Sequence, residues 1–538
     1  MSMSIVYKDI SPGATENSIT TATFQTQYSD LNRFKDSLQN ENYGTFEDDF
    51  WLLDGSFSVL PDNESDMNIS CWSENIGSNT GEVSDTSKTI VREYIGYYTS
   101  SGITLTFDTF NNEYPESITV QWLKDGELLS EQSYTVDSAV FYCEKSVEKY
   151  NKIIIVFNTF PKNRRLRVSA IEDGTSYTYT DSTLKSISLL QEISPISEEI
   201  SENTLNCSIF TENETLTFQN MQPIFAYYNG RLLGKYFIKN AKHENIKMWT
   251  LEATDYIGVL ETIQSYGGDY RTPITFDAYL QSILGDYYKY CDIEPELKTK
   301  SIKGYIGITT AREALTHACF AVGACVSTAN TDKIKIFTPK SNVKTVSEDR
   351  IFYGGTTDIS DIVTKCEVSM HYTNESLDRQ TLLDEKLTET TTVLFNGGYT
   401  SLAFGNCTVV EQGANYAIVT PTSTTNNVTI KGYALSDFAK TISKSNTDIT
   451  ATTKANVRRV TNSPFVTDNN ASDVLNRVFH HYSKNSKLNA QIVVDTEQVG
   501  DMISLKSPFG EILTGRILSM DLSGAGKLIG QAVILLEV

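Results

Sequence analysis

The 538-residue sequence contains little of what catalytic and metal-binding proteins require. It has five histidines, and it contains no Gly-x-Ser-x-Gly, His-Glu-x-x-His or phosphate-binding P-loop motif. The eight cysteines include no Cys-x-x-Cys pair, which disfavours a zinc ribbon or a thioredoxin-type site. Paired carboxylates occur, but a chain with 67 acidic residues contains such pairs by chance. We therefore predict that the protein is not an enzyme and needs no cofactor.

Basic residues and long apolar runs are also scarce. Lysine and arginine number 45 against 67 acidic residues, which gives a formal net charge of −22 and a pI near 4.7. A strongly acidic surface disfavours nonspecific binding to nucleic acids and to anionic membranes. No apolar run reaches 18 residues, and the N-terminus lacks a basic segment followed by an apolar one. We expect neither a membrane anchor nor a signal peptide.

Proline is low at 12, whereas threonine, serine, asparagine and tyrosine are abundant. This composition favours strands and polar turns over long helices, so we predict a mainly β, multidomain chain. Most of the cysteines lie within apolar strand or helix patterns, where a thiol behaves as a small hydrophobe. We expect reduced, buried thiols, as in a protein that folds in cytoplasm, with disulfides as the alternative.

The first part of the chain divides at about residue 45. Residues 1–45 are polar, and we predict an N-terminal arm with one short helix near residues 28–38. Residues 46–180 show short strands, beginning at Phe50–Leu53, with turn residues between them. Ile118, Val120 and Trp122 alternate with polar neighbours, as in a half-buried strand. The pattern predicts a β-sandwich that resembles the galactose-binding-like jelly roll.

Residues 304–339 predict a capped amphipathic helix that leads into a β-hairpin. Thr310 and Glu313 form a capping box, apolar residues recur on one face, and Gly323 can end the helix. Two further helices are predicted. Thr275 caps the first, over residues 276–288, and Asn470 caps the second, over residues 471–484.

This order of elements resembles a segment of the tail or baseplate hub proteins of phages and prophages of Gram-positive bacteria. Other stretches resemble the same family in the same order along the chain. They are the leader Ser29–Asn63, the opening strands Leu189–Phe210 and Met221–Asn240, the stretch Asp255–Tyr270, and the closing stretch Val499–Gly526.

The resemblance implies hub-type β-barrel domains with a few short helices: a hub α+β region at 181–345, a second hub β domain with helices at 346–485, and a closing β domain at 486–538. It implies a homotrimeric ring between the tail tube and the tip or spike. Expected partners are the tube, distal tail, tip and tape-measure proteins. The protein would be assembled in the host cytoplasm, lie in a virion tail or baseplate or a bacteriocin particle, and be released by lysis. Contractile, non-contractile and bacteriocin particles all remain open.

An alternative function is a carbohydrate-binding adhesin in which residues 46–180 recognise a host cell-wall glycan. The sugar-facing candidates are Trp72, Arg92, Tyr98 and Trp122, because aromatic rings stack on sugar C–H faces and a guanidinium fixes hydroxyls. Against this interpretation, the alternation around Trp122 is typical of a core residue.

Two polar clusters in the same region have competing interpretations. Asp62, Asn63 and Asp66 lie in an oxygen-rich loop that could hold calcium, although the loop lacks the glycine and terminal glutamate of an EF-hand, which favours a solvated turn. The basic cluster at residues 164–167 begins the last predicted strand of the sandwich. For this cluster we favour a structural role over anion binding.

Overall fold

A computed structural model describes residues 3–10, 14–15, 17–26, 29–34, 43–44, 47, 50–56, 59–60, 69–83, 88–180, 182–211, 218, 220–447, 449, 453–461, 463–507, 509–524 and 527–537. Strands dominate, with several separate sheets and a few short helices, which confirms the predicted mainly β, multidomain class. The chain forms two compact units. Unit 1 contains Met1–Ile5, Tyr179–Thr215 and Phe225–Val538, and unit 2 contains Val6–Thr178 and Leu216–Ile224.

The strands, numbered in chain order, are β1 Met3–Ile10, β2 Ser18–Ala22, β3 Tyr43–Gly44, β4 Val59–Leu60, β5 Cys71–Ile76, β6 Thr89–Thr106, β7 Ser117–Lys124, β8 Glu127–Thr135, β9 Val140–Phe157, β10 Arg165–Val168, β11 Ala170–Glu172, β12 Gly174–Tyr179, β13 Leu184–Glu192, β14 Thr204–Phe210, β15 Pro223–Tyr228, β16 Arg231–Asn245, β17 Met248–Thr254, β18 Gln264–Ser265, β19 Gly268–Thr275, β20 Cys291–Ile293, β21 Ser301–Ile306, β22 Thr309–Thr310, β23 Cys325–Ser327, β24 Ile334–Phe337, β25 Val343–Thr345, β26 Thr356–Ile359, β27 Lys365–Glu385, β28 Thr391–Leu394, β29 Tyr399–Gly405, β30 Cys407–Gln412, β31 Tyr416–Pro421, β32 Val428–Ser445, β33 Val457–Val460, β34 Ser486–Val493, β35 Met502–Lys506, β36 Ile512–Ser523 and β37 Ile529–Leu536. The α-helices are α1 Tyr256–Leu260, α2 Phe276–Leu284, α3 Pro295–Lys298, α4 Ala311–Val322 and α5 Ala471–Tyr482. The 3₁₀ helices are Leu31–Phe34, Gly285–Tyr290 and Glu348–Arg350.

Unit 2 is a β-sandwich built from two antiparallel sheets. The larger sheet has the order β11-β6-β9-β7-β8, with β2 also paired to β6, and the smaller sheet pairs β5 with β10. Ile118, Val120 and Trp122 on β7 are fully buried, which confirms the predicted alternation. Cys71 of β5 and Leu166 of β10 share one hydrophobic core with them, so the two sheets face each other across that core.

Part of the predicted N-terminal arm packs against the sandwich of unit 2. Strand β2 pairs along β6 from Ser18 opposite Tyr94 to Ala22 opposite Ile90, and Phe24 lies in the core of unit 2. In place of a helix near residues 28–38 there is a 3₁₀ turn at Leu31–Phe34, and part of the predicted span lies outside the described residues. The polar composition of residues 1–45 did not indicate these contacts, because a strand can pack on a core with only one apolar face.

Unit 1 is organised around a large sheet that joins early and late parts of the chain. Its path runs β15-β16-β17-β14-β13-β36-β37-β34-β26, and β35 pairs with both β36 and β25. The link between the two halves is the antiparallel pair β13 and β36, with Leu189 opposite Leu522. Two smaller sheets, β29-β32-β27-β33 and β28-β31-β30, come from residues between these halves. The further division of this unit at residues 345 and 485 remains a prediction.

The helices of unit 1 follow the predicted apolar stripes. Helix α4 is capped by Thr310, whose hydroxyl accepts a hydrogen bond from the Glu313 backbone N–H at 3.2 Å, and it ends at Gly323 in the left-handed conformation (φ 78°). Helix α2 begins at the predicted cap Thr275 but gives way to a 3₁₀ helix at Gly285. Across the described part of the chain, no helix is long and apolar enough to cross a bilayer.

Asn470 precedes α5 as predicted but does not cap it with its side chain. Its amide oxygen accepts from the Thr467 backbone N–H at 2.9 Å, and its NH₂ donates to the Phe465 carbonyl at 2.9 Å. The side chain is therefore used by the preceding turn. All eight cysteines are free thiols, and six of them are buried.

Candidate functional site

Unit 2 contains a groove of about 820 Å³ that combines apolar and polar side chains. It is formed by three surface segments, and its lining residues are Trp51, Leu52, Leu53, Asn112, Glu113, Tyr114, Glu116, Pro161, Lys162, Asn163 and Arg164. A concave surface of this size with a few polar groups is the usual form of a small-ligand site. We therefore take this groove, hereafter the Trp51 groove, as the candidate functional site.

The segment that carries Trp51 is a turn instead of the strand predicted at Phe50–Leu53. The Leu52 N–H donates to the Ser56 carbonyl at 2.9 Å, and the Asp54 carboxylate accepts from the Ser56 N–H at 2.9 Å. The turn leaves the Trp51 side chain 38% exposed and Leu53 94% exposed. Apolar side chains that a strand would have buried on one face are thus presented to solvent.

A buried ion-pair cluster supports the groove from below. Arg167 is fully buried and donates to the carboxylates of Glu113 at 2.8 Å, Asp108 at 3.4 Å and Glu47. Arg164 donates to the other oxygen of Glu113 at 2.7 Å. One carboxylate therefore connects a residue that lines the groove to a residue in the interior.

Phe50 completes this support. The guanidinium carbons of Arg164 and Arg167 lie 5.2 Å and 5.5 Å from the centre of its ring, within the range of cation–π attraction. Burial raises the pKa of Glu113, although the positive charges of Arg167 and Arg164 oppose this shift. The basic cluster at residues 164–167 thus has contacts that suit a structural role, in line with the interpretation favoured from the sequence.

The two asparagines that line the groove have backbone conformations that most residues avoid. Asn112 has φ 53° and Asn163 has φ 57°, both in the left-handed region that asparagine tolerates better than other residues with a Cβ. Asn163 is held there by its backbone N–H, which donates to the Gly77 carbonyl at 3.1 Å and the Ser78 carbonyl at 3.2 Å. Both side chains are exposed at the groove.

The charges that line the groove balance one another. Glu113 pairs with Arg164, and Glu116 pairs with Lys162 at 2.5 Å. Within the part of the chain that the structure describes, no group of three His, Cys, Asp or Glu side chains could hold a metal ion. The groove therefore offers apolar surface and hydrogen-bonding groups with no net charge.

Two of the four predicted sugar-facing residues are fully buried. Trp122 is 0% exposed on the core face of β7, and a ring without exposed surface cannot stack on a sugar. Arg92 is also 0% exposed, and it donates to Asp173 at 2.9 Å. Tyr94 donates a hydrogen bond to the same Asp173. The prediction is corrected at both positions, because these side chains serve the interior of the sandwich.

The other two predicted residues do not line the Trp51 groove. Trp72 is 6% exposed and packs with Ile69. Tyr98 is half-buried, and its hydroxyl accepts from the Asn17 amide at 2.9 Å. The calcium candidates Asp62, Asn63 and Asp66 lie outside the described residues.

Trp51 and Tyr114 were not among the binding candidates predicted from the sequence. One signal was present: Phe50-Trp51-Leu52-Leu53 is a run of four apolar residues bounded by Asp49 and Asp54, which a surface turn can present to solvent. No comparable signal marks Tyr114, because its position depends on how the loop that follows Asp108 folds back against the neighbouring strands.

No protein-family model and no curated protein matches the sequence. The fold is similar to solved structures of tail proteins. A tail protein from Neisseria meningitidis MC58 has a TM-score of 0.43 at 8% identity, over 67% of this chain and 93% of that chain. The 43 kDa tail protein of prophage MuSo2 from Shewanella oneidensis has a TM-score of 0.40 at 9% identity, over 67% and 95%.

Prophage tail protein gp18 from Listeria monocytogenes EGD-e has a TM-score of 0.39 at 10% identity, over 66% of this chain and 91% of that chain. With such identities and with TM-scores under 0.5, these similarities assign neither an activity nor a partner to the chain.

Proposed function

We propose that the protein is a structural tail protein, and more specifically a baseplate hub that forms a trimeric ring between the tail tube and the tip of a phage or phage-like particle. The observation that carries the proposal is the pairing of the first and last hub-like stretches of unit 1. Leu189 to Glu192 lie opposite Leu522 to Ser519 in one antiparallel ladder. Two stretches that resemble the same family thus lie next to each other in one sheet.

The pairing of β13 with β36 is consistent with a structural role in a particle. Because β13 and β36 are more than 300 residues apart in sequence, their ladder fixes the two ends of unit 1 to each other. Domains joined only by a linker move relative to one another by default, and a ladder between the two ends restrains such motion. The proposed mechanism is geometric: self-complementary surfaces close a three-fold ring that joins a six-fold tube to a three-fold tip.

The acidic composition fits the proposed ring. With a net charge of −22, a wall of this chain would repel DNA and let it pass without adsorption. In a particle without DNA the same charge would have no such use. The proposed partners are the tube, distal tail, tip and tape-measure proteins, and the proposed location is the distal end of a tail. No step of this function requires catalysis.

Gold labelling of assembled particles tests the location. Tyr353 is fully exposed in a turn, and a Cβ built on the neighbouring Gly354 meets no atom within 4 Å, so an epitope tag inserted there should leave the fold intact. We expect label at the distal end of the tail and three copies per particle in a reconstruction. A second tag at the turn Asp125-Gly126 provides the matched control in unit 2. Label along the tube or at the head, or a ring of six copies, would contradict the proposal.

A second candidate function, a carbohydrate-binding adhesin, is favoured by the Trp51 groove. One protein can be both an adhesin and a hub, because a binding site on a fold does not depend on the structural role of that fold. A glycan array probed with the full chain separates the two: binding supports the adhesin, and its absence leaves the hub untouched. Zymography on cell walls tests the prediction that the protein is not a hydrolase.

A further inference from the structure

We propose that the Trp51 groove binds a neutral saccharide, with the Trp51 indole as the surface on which a sugar ring stacks. This assignment deepens the second proposed function and does not depend on the hub. It replaces the sugar-facing residues predicted from the sequence with a different set of side chains.

The apolar part of the groove matches the C–H face of a sugar. Trp51 is 38% exposed, and Tyr114, which is half-buried, also lines the groove. Trp51, Leu52 and Leu53 together expose a contiguous apolar surface, and such patches often mark binding sites. An indole provides a broad, rigid face that loses little conformational entropy on binding, because its side chain has two rotatable bonds.

The polar part of the groove matches sugar hydroxyls. Asn112 and Asn163 each bring one acceptor oxygen and two N–H donors, so together they can satisfy hydroxyls that both donate and accept. Glu116 offers carboxylate oxygens as further acceptors. A purely apolar partner would leave these groups unpaired in a desolvated site, and that would cost binding energy.

The charge of the groove selects a neutral ligand. Glu113 and Glu116 are each paired with a cation of the groove, Arg164 and Lys162 respectively. An anionic sugar or a phosphate would have to compete with a carboxylate for each cation. A cationic peptide would have to compete with a cation for each carboxylate. The balance therefore favours a neutral saccharide over either charged ligand.

The support beneath the groove keeps its geometry fixed. Arg164 is held by Glu113 at 2.7 Å and lies over the Phe50 ring, and Glu113 is held in turn by the buried Arg167. A site whose residues are ordered before binding loses less entropy when the ligand arrives.

The test uses the full chain and an array of neutral hexose and N-acetylhexosamine oligosaccharides beside anionic oligosaccharides and peptides. The best neutral oligosaccharide is then titrated calorimetrically against wild type, Trp51→Ala, Glu116→Gln and the control Tyr97→Ala. Tyr97 is an aromatic of unit 2 that is 54% exposed and does not line the groove. We expect Trp51→Ala to weaken binding about tenfold or more, Glu116→Gln to weaken it severalfold, and Tyr97→Ala to leave it unchanged.

Three other outcomes would contradict, in turn, the location of the site, the class of ligand and the adhesin function itself. If wild type binds neutral oligosaccharides but neither Trp51→Ala nor Glu116→Gln changes the affinity, the adhesin function stands and this groove is not its site. If wild type binds only anionic oligosaccharides or only peptides, the ligand is not a neutral saccharide and the proposed ligand class is wrong. If wild type binds no member of the array, both the assignment and the adhesin function fail, while the hub is judged separately from the gold labelling.

Discussion

Removing a single buried charge should reduce the stability of this protein. Arg167 is the clearest case, because it is fully buried and faces three carboxylates, of which Glu47 and Asp108 are themselves buried. A buried charge that loses its partner retains the cost of desolvation without the compensating attraction. The cluster therefore fixes the loops of unit 2 in one arrangement.

Replacing Arg167 by methionine should destabilise unit 2 strongly. The change leaves Glu47 and Asp108 buried without their cation, and breaking such a pair costs about 3–5 kcal/mol. The matched control is Lys152→Met, which removes the partly exposed pair with Glu93 at 2.8 Å and should cost about 0–1 kcal/mol. The measurement is the free energy of unfolding from urea titrations. Equal effects of the two substitutions would contradict the structural role of Arg167.

Asp255 in unit 1 gives a pH dependence with a definite sign. Its buried carboxylate accepts from the backbone N–H groups of Ile257 at 2.9 Å, Gly258 at 3.1 Å and Asn203 at 3.0 Å, and from the Thr328 hydroxyl. Burial nevertheless raises its pKa from 3.8 to about 6. Between these two values the folded protein holds a proton that the unfolded chain has lost, so stability is lost as pH rises from about 4 to about 6.

We expect this carboxyl to contribute a loss of about 2–3 kcal/mol across that pH window. The measurement is the difference in unfolding free energy between wild type and Asp255→Asn at several pH values from 4 to 7. The amide does not titrate, so it adds a constant offset, while the wild-type contribution changes with pH. A difference that stays constant over the window would show that the folded pKa of Asp255 is not raised.

At the scale of elements, helix α4 is stabilised at its two ends by different parts of the chain. Its start is local, with Thr310 as the cap. Its end is not: Arg477 of α5 donates to the carbonyls of Phe320 at 2.7 Å and Ala321 at 3.1 Å. A cation near the last carbonyls is favourable because these acceptors carry the negative end of the helix dipole.

Thr310→Ala should destabilise the protein by about 1 kcal/mol, because the Glu313 N–H loses its acceptor. Thr310→Ser keeps a hydroxyl at the same position and serves as the matched control, with stability close to wild type. Thermal or urea unfolding of the two variants is sufficient. Equal loss in both would mean that the threonine methyl group, and not the cap, accounts for the effect.

At the scale of the whole molecule, the two units are interleaved in sequence. Unit 2 includes Leu216–Ile224, a segment that follows the opening strands of unit 1. Within unit 2, Phe218 of this segment packs on Tyr7, with ring centres 4.7 Å apart. A cut between the units at residue 184 would therefore leave this segment without the rest of its own unit.

This interleaving bears on the prediction that residues 46–180 form a β-sandwich of their own, because unit 2 also includes residues outside that range. A chain of residues 184–538 should fold but expose Phe218, which is 8% exposed in the full chain, and we expect it to aggregate at moderate concentration. Phe218→Ser in the shortened chain should restore a monodisperse species in size-exclusion chromatography. Wholesale unfolding of both shortened chains, seen by circular dichroism, would count against independent folding of unit 1.

Local patterns were enough to predict many elements but not the groove. The cap and stripe of α4, the start of α2 and the alternation on β7 were predicted because each depends on residues that are neighbours in sequence. The Trp51 groove depends on three segments that lie up to about 110 residues apart. Arg92 was wrong as a sugar-facing residue because residue type alone does not tell which face of a strand points inward, whereas the alternation on β7 already indicated a core position for Trp122.

The sequence by itself determined the mainly β class, the absence of familiar catalytic motifs and the acidic surface, since composition and short periodic patterns follow from local chemistry. It also carried the resemblance to tail hub proteins. The tertiary structure alone decided that β13 pairs with β36, that Arg167 serves three carboxylates, and that Trp51 faces solvent. The physical reason is that burial and pairing between distant segments depend on which surfaces meet, and no short window of sequence contains both partners.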